Sequence, residues 1–148
     1  MKDKWGNQWD KCRPLSEGDL AATEARIKQV FPDELRKLFL SCNGGRPKLT
    51  YFSNGKIEVE IGSLLPISPP ALFRGTSFGA ARLHMEKTGR PSGFLPFAID
   101  NGNAGIFCLD VASGAIVYCV DDDDPSDLNK PVAASLTELL STLQEPPY

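Results

Sequence analysis

Residues 93–120 read GFLPFAIDNGNAGIFCLDVASGAIVYCV, and they contain three apolar runs separated by two clusters of turn-forming residues. The runs are Phe94–Ile99, Gly105–Leu109 and Ala115–Val120, and they are rich in the β-branched and aromatic residues typical of strands. The Asn-Gly and Ser-Gly dipeptides between them supply the positive-φ positions that tight turns need. We therefore predict three consecutive antiparallel strands, a meander at the centre of one sheet.

If the second turn pairs Leu109 with Ile116, the register of the last two strands is fixed. In that register Phe107 lies opposite Tyr118. Both faces of the meander are then apolar, so we expect other elements to cover each of them.

Two segments before the meander have helical spacing. The first helix is predicted to begin after the N-cap Ser16 and to end at Pro32, with Leu20, Ile27 and Phe31 on one face. The second is predicted to begin at this proline and to end at an Asn-Gly-Gly sequence, which offers a glycine for a left-handed C-cap.

A hairpin is predicted between the second and third helices, where strands 49–53 and 56–61 flank an Asn-Gly turn. Alternation along the second strand places Glu58 and Glu60 on its wet face, and we expect them to protect an edge strand from association. A weaker helix is predicted within Thr76–Lys87, and a last helix is predicted after the N-cap Ser135.

These elements predict an α+β fold in a single domain, with a mostly antiparallel sheet and a central meander bracketed by about four helices. We assign residues 1–15 to an N-terminal arm and residues 16–148 to the domain. The arm lacks periodicity, and we expect Trp5 and Trp9 to hold it against the domain.

Composition excludes several classes of protein. The 148 residues are 41% hydrophobic and 24% charged, which is typical of a globular domain, and the net charge of −3 argues against direct nucleic-acid binding. No apolar run reaches the length of a membrane-spanning helix. The first residues lack the apolar segment of a secretory signal, so we expect a cytoplasmic protein.

The cysteines and the single histidine give no sign of a metal or catalytic site. The four cysteines (Cys12, Cys42, Cys108 and Cys119) form no CxxC pair, so we expect reduced, metal-free thiols and no cofactor. His84 is the only histidine and has no evident nucleophile beside it, so we expect a surface residue rather than a general base.

One further pattern is similar to the signature of a known family. It comprises a helical glutamate, an apolar-Pro pair, a second helix and an Asn-Gly-Gly end, represented here by Glu24, Phe31-Pro32, Leu35, Phe39 and Asn43-Gly44-Gly45. Phe94-Leu95-Pro96-Phe97-Ala98, Phe107-Cys108-Leu109-Asp110 and the helix from Ala134 to Leu140 continue it. In this order, over roughly residues 16–144, the sequence resembles the SUKH superfamily, which includes the fungal Smi and Knr regulators and many bacterial immunity proteins.

This resemblance implies a non-enzymatic domain that binds another protein. The bacterial members typically neutralise a toxin domain, often a nuclease, so we expect an immunity protein whose partner is a basic toxin domain. The alternative is an intracellular adaptor or scaffold of the Smi/Knr type, unrelated to toxins.

An acidic segment follows the meander and is the one candidate binding site in the sequence. It places five carboxylates within seven residues: Asp121, Asp122, Asp123, Asp124 and Asp127. A solvated loop, a docking surface for a basic partner and a hard-cation site all remain open. The last is disfavoured because the glycine and glutamate spacing of a calcium-binding loop is absent. We take these aspartates as the hypothetical partner-binding residues.

Overall fold

The computed structural model describes residues 1–90, 93–102, 104–120 and 129–148, with the backbone alone for Asn129. The elements in chain order are β1 (Trp9–Asp10), α1 (Glu17–Ile27), α2 (Asp33–Cys42), β2 (Arg46–Pro47), β3 (Tyr51–Ser53), β4 (Glu58–Leu64), α3 (Phe78–Lys87), β5 (Phe94–Asp100), β6 (Gly105–Asp110), β7 (Ile116–Val120), β8 (Asn129–Ala133) and α4 (Leu136–Ser141). Strands β3 to β8 form one antiparallel sheet in chain order, and β1 pairs with β2. The predicted α+β fold is confirmed.

The central meander has the predicted register. Leu109 lies opposite Ile116 and Phe107 lies opposite Tyr118. The sheet curls so strongly that its first hairpin approaches its last strand: the Asn54 side chain, in the turn between β3 and β4, donates a 2.9 Å hydrogen bond to the carbonyl of Val132 in β8.

Each face of the meander is covered by apolar side chains, as expected. Phe107 is fully buried in the main core, which also contains the apolar faces of α1, α2 and α4. On the other face a smaller cluster consists of Met85, Cys108 and Cys119. Helix α3 contributes to both clusters, because Phe78 belongs to the main core and Met85 to the smaller one.

Helix α1 is shorter than predicted, so the prediction that it continues to Pro32 is wrong. The helix ends at Ile27, and Lys28 adopts a left-handed conformation with φ 58°. Phe31 still reaches the core, from the connection to α2 and not from a helical face. The carboxylate of Glu24 stabilises this connection, because it accepts a 2.7 Å hydrogen bond from the Phe31 N–H and pairs with Arg36.

The strand inventory also differs from the prediction. Strand β4 is an inner strand, paired with β3 and β5, so Glu58 and Glu60 do not lie on an edge strand. The edge strand β3 is covered in part by Gln144, which exchanges two 3.0 Å backbone hydrogen bonds with Tyr51. Strand β8 was not predicted, because Pro131 and the adjacent acidic run obscure its pattern.

The N-terminal arm is attached to the domain by its tryptophans, as expected. Trp9 is 1% exposed and belongs to the main core. Its indole N–H donates a 2.8 Å hydrogen bond to Asp3, and the indole N–H of Trp5 donates one of 3.2 Å to Thr137. The arm therefore packs into the same core as the elements that follow it.

Candidate functional site

A polar groove of about 390 Å³ lies among the β3–β4 hairpin, the end of β5 and the side chains of β7 and β8. We call it the tyrosine–carboxylate groove because three tyrosines and three carboxylates line it. These residues are Tyr51, Tyr118, Tyr148, Glu58, Glu60 and Asp100. Curling of the sheet brings these strands together, although they are far apart in the strand order.

Each tyrosine hydroxyl in the groove donates a hydrogen bond to one carboxylate. Tyr51 donates to Glu58 over 2.6 Å, and Tyr148 donates to Glu60 over 2.7 Å. The third pair is Tyr118 with Asp100, which also caps the turn between β5 and β6 by accepting the Ala104 N–H over 2.7 Å. The pairs hold the carboxylates in place and leave each with unused lone pairs.

Backbone packing fixes the position of Tyr118 in this arrangement. Its ring lies directly over Gly105, where a Cβ atom would approach the ring to 2.5 Å. The ring also contacts Phe107, with a centroid separation of 5.2 Å. A glycine is therefore required at position 105 for the tyrosine to reach Asp100.

The groove has a net negative charge. Among the described lining residues, three carboxylates face a single ammonium group, that of Lys130, so this lining carries a net charge of −2. Burial and the hydrogen bond to Asp100 raise the pKa of Tyr118, and the hydrogen bond to Glu58 raises the pKa of Tyr51. Both hydroxyls therefore remain protonated donors, and the negative charge stays on the carboxylates.

The acidic residues predicted from the sequence cannot be placed relative to this groove. Asp121, Asp122, Asp123, Asp124 and Asp127 lie outside the described residues. In the chain, however, this stretch comes between Tyr118 and Lys130, which both line the groove. The docking role of the five aspartates stays a prediction.

His84 lies on the exposed side of α3 and lines a second cavity, of about 240 Å³, together with Arg90 and Cys119.

Within the described ranges no three His, Cys, Asp or Glu side chains are grouped so as to hold a metal ion. In the same part of the chain, no helix combines the length and the apolar character needed to cross a bilayer.

Two polar residues of the sequence signature build the scaffold. Glu24 joins α1 to α2 through Phe31 and Arg36. The buried Asn43 side chain accepts a 2.8 Å hydrogen bond from the Ile67 N–H and donates one of 3.0 Å to its carbonyl. Neither residue lines the groove.

The groove residues were not predicted as a site from the sequence. Glu58 and Glu60 were interpreted as the wet face of a strand, and Asp100 as part of a turn. The only local signal is that carboxylates and tyrosines occur on strands that become neighbours after curling. That signal requires the register of six strands, which the sequence alone does not provide.

Comparison with protein families gives one match. The sequence model of the SMI1 / KNR4 family (SUKH-1) matches residues 14–142, which covers most of the chain and leaves out most of the N-terminal arm. No curated protein matches this chain.

Proposed function

Because the chain belongs to the SMI1 / KNR4 family (SUKH-1), we propose that it is a protein-binding domain that acts as an immunity protein. It binds a cognate toxin domain in the cytoplasm and blocks it. Domains of this family are generally non-enzymatic, so function rests on a binding surface.

The tyrosine–carboxylate groove is the observation that carries this proposal. Tyrosine is enriched at protein interfaces, because its ring supplies contact area and its hydroxyl supplies a hydrogen bond. Tyr51 is buried and Tyr118 is half-buried, so the carboxylates of Glu58 and Asp100 that they hold are already oriented, and a partner loses little free energy in ordering them.

Charge defines the chemistry of the partner. A surface of net charge −2 favours a basic partner, and nucleases present basic surfaces because they bind phosphates. Asp121–Asp124 and Asp127 add five further negative charges between Tyr118 and Lys130 in the sequence, although their position relative to the groove lies outside the described residues. A nuclease toxin domain therefore fits this surface best.

Protection of cells tests the proposal. The toxin-like domain is taken from a reading frame beside the gene for this chain and is expressed in a bacterial host with and without the chain. The wild-type chain should restore growth, and the purified pair should co-elute as a complex.

Two matched variants show whether protection uses the groove. Glu58→Gln/Glu60→Gln removes two groove charges and keeps an acceptor oxygen for each tyrosine. Glu17→Gln/Glu86→Gln removes the same charge from α1 and α3, outside the groove. We expect the first variant to protect poorly and the second to protect like the wild type.

Two outcomes would contradict these expectations about protection and about the groove. Growth that stays arrested, with no complex between toxin and chain, would reject the immunity function and favour an adaptor of the Smi/Knr type. Equal protection by both variants would place the binding surface elsewhere on the domain.

A further inference from the structure

Two cysteines lie together under α3, on the side of the meander that faces this helix. Cys108 of β6 and Cys119 of β7 are on adjacent strands, and their sulfur atoms are 3.5 Å apart and hydrogen-bonded. The thioether of Met85 covers Cys108, with a sulfur–sulfur distance of 3.8 Å. The two thiols are thus held in contact by the packing of this cluster.

The two thiols differ in access. Cys119 lines the cavity of about 240 Å³ and is 5% exposed, whereas Cys108 is fully buried and does not line it. Arg90 and His84 line the same cavity as Cys119, so a guanidinium and an imidazole belong to its lining. A small polar reagent that enters the cavity meets only one of the two sulfurs.

The pKa values of the two thiols are shifted in opposite directions. The hydrogen bond with Cys108, followed by the positive charge of Arg90, lowers the pKa of the Cys119 thiol. The hydrogen bond with Cys119 and burial raise the pKa of the Cys108 thiol. Because the thiolate is the reactive form, Cys119 is the more nucleophilic of the pair.

We propose that Cys108 and Cys119 are an oxidative modification site, which a small peroxide converts to a disulfide after entering the cavity beside α3. Cys119 reacts first and Cys108 resolves the product. The proposal is independent of the groove and of the identity of any protein partner.

The chemistry balances in two steps. The Cys119 thiolate attacks one peroxide oxygen, the O–O bond breaks, and the leaving hydroxide takes a proton to form water, which leaves a sulfenic acid on Cys119. The Cys108 sulfur then attacks the sulfur of Cys119 and displaces hydroxide, which leaves as water with the Cys108 proton. Peroxide is reduced, and the two thiols are oxidised to one disulfide.

The molecule contains a second close pair of cysteines that serves as an internal comparison. Cys42 is fully buried and hydrogen-bonds with Cys12. Burial, followed by the charge of Cys12, raises the pKa of Cys42 to about 12. We expect Cys42 to resist attack by peroxide under conditions that oxidise Cys119, because it is fully buried and its thiol stays protonated.

The test uses the reduced full chain treated with hydrogen peroxide, with free thiols then blocked by a maleimide. A protease that cleaves before aspartate separates Cys108 from Cys119, because it releases residues 100–109 and 110–120 as different peptides. Mass spectrometry under non-reducing conditions should detect these two peptides joined, with the loss of two hydrogen atoms, and a reductant should separate them.

Single variants test the order of the steps. In Cys108→Ser the reaction should stop at a sulfenic acid on Cys119, which a 1,3-diketone traps. In Cys119→Ser the residue Cys108 should stay unmodified. Cys12→Ser should form the 100–109 to 110–120 link at the wild-type rate, with circular dichroism confirming that each variant is folded.

Three results would overturn the proposal. The first is the absence of the Cys108–Cys119 link in peroxide-treated wild type. The second is oxidation of Cys108 in Cys119→Ser as fast as in the wild type, and the third is oxidation of the buried Cys42 in Cys12→Ser as fast as that of Cys119.

Discussion

The connection between α1 and α2 rests on one carboxylate, and Glu24→Ala tests this directly. Glu24 is 9% exposed, accepts the Phe31 N–H over 2.7 Å and pairs with Arg36. Removing it leaves a buried N–H without a partner, which costs about 1–3 kcal/mol. The Arg36 side chain is 28% exposed and regains water, so the lost ion pair adds about 1 kcal/mol or less. We expect Glu24→Ala to destabilise the fold by about 3 kcal/mol in total.

Urea unfolding followed by the fluorescence of the buried Trp9 measures this difference. Glu24→Gln keeps an acceptor for the Phe31 N–H and should cost about half as much. Arg36→Ala should cost about 1–3 kcal/mol, because it leaves the nearly buried Glu24 carboxylate without its cation. A loss below about 1 kcal/mol for Glu24→Ala, with an unchanged dependence on urea, would show that the connection between α1 and α2 does not depend on this carboxylate. Equal losses for the two Glu24 variants would mean that the charge, and not the Phe31 N–H, is what matters.

Three further predictions concern the core, the arm and catalysis. Phe107→Ala should destabilise by about 3–5 kcal/mol, because the ring is fully buried against Tyr118, and a loss below about 1 kcal/mol in a denaturant melt would show that β6 is not central. Lys4→Ala should lower stability slightly at neutral pH. The hydrogen bond from Lys4 lowers the pKa of Glu34, so the difference from wild type should vanish as the pH falls through that pKa, as pH-dependent melts would reveal. The purified chain should hydrolyse neither nucleic acid, peptide nor simple esters, and an activity lost in His84→Ala would contradict a binding role.

The local pattern of the sequence was sufficient to predict the three central strands. Apolar runs separated by Asn-Gly and Ser-Gly turns predicted β5, β6 and β7. The structure has the register considered for the last two strands, with Leu109 opposite Ile116, because hairpin register depends on residues close in the chain. The N-caps Ser16 and Ser135 were predicted for the same reason, and each side chain accepts a backbone N–H over 3.0 Å.

The end of α1 and strand β8 were not predicted, because both involve interactions between residues that are distant in the sequence. Helix α1 ends at Ile27 with Lys28 in a left-handed conformation, and its Glu24 side chain accepts a hydrogen bond from the backbone seven residues later; helical periodicity reports neither feature. Strand β8 forms because β7 offers it an edge, although Pro131 weakens its own pattern.

The groove could not be predicted for the same physical reason. It depends on the curl that joins Asn54 to Val132 and on the close packing of Tyr118 over Gly105. Net charge and the acidic run pointed to a basic partner, but they gave no indication that Glu58, Glu60 and Asp100 line one groove.

The central claim is that this domain binds a basic partner through its negative surface, and the association rate tests it most directly. Stopped-flow or surface-based kinetics with the toxin domain from the neighbouring reading frame would give the rate constant at low and high ionic strength. The chains compared are wild type, the groove variant Glu58→Gln/Glu60→Gln, the control Glu17→Gln/Glu86→Gln and a variant with Asp121–Asp124 changed to Asn.

Charge at an interface mainly accelerates association and makes it sensitive to salt. We expect the groove variant and the Asn variant to associate more slowly and with a flatter salt dependence than wild type, while the control keeps the wild-type rate and slope. Identical rates and identical salt slopes for all four chains would contradict the account.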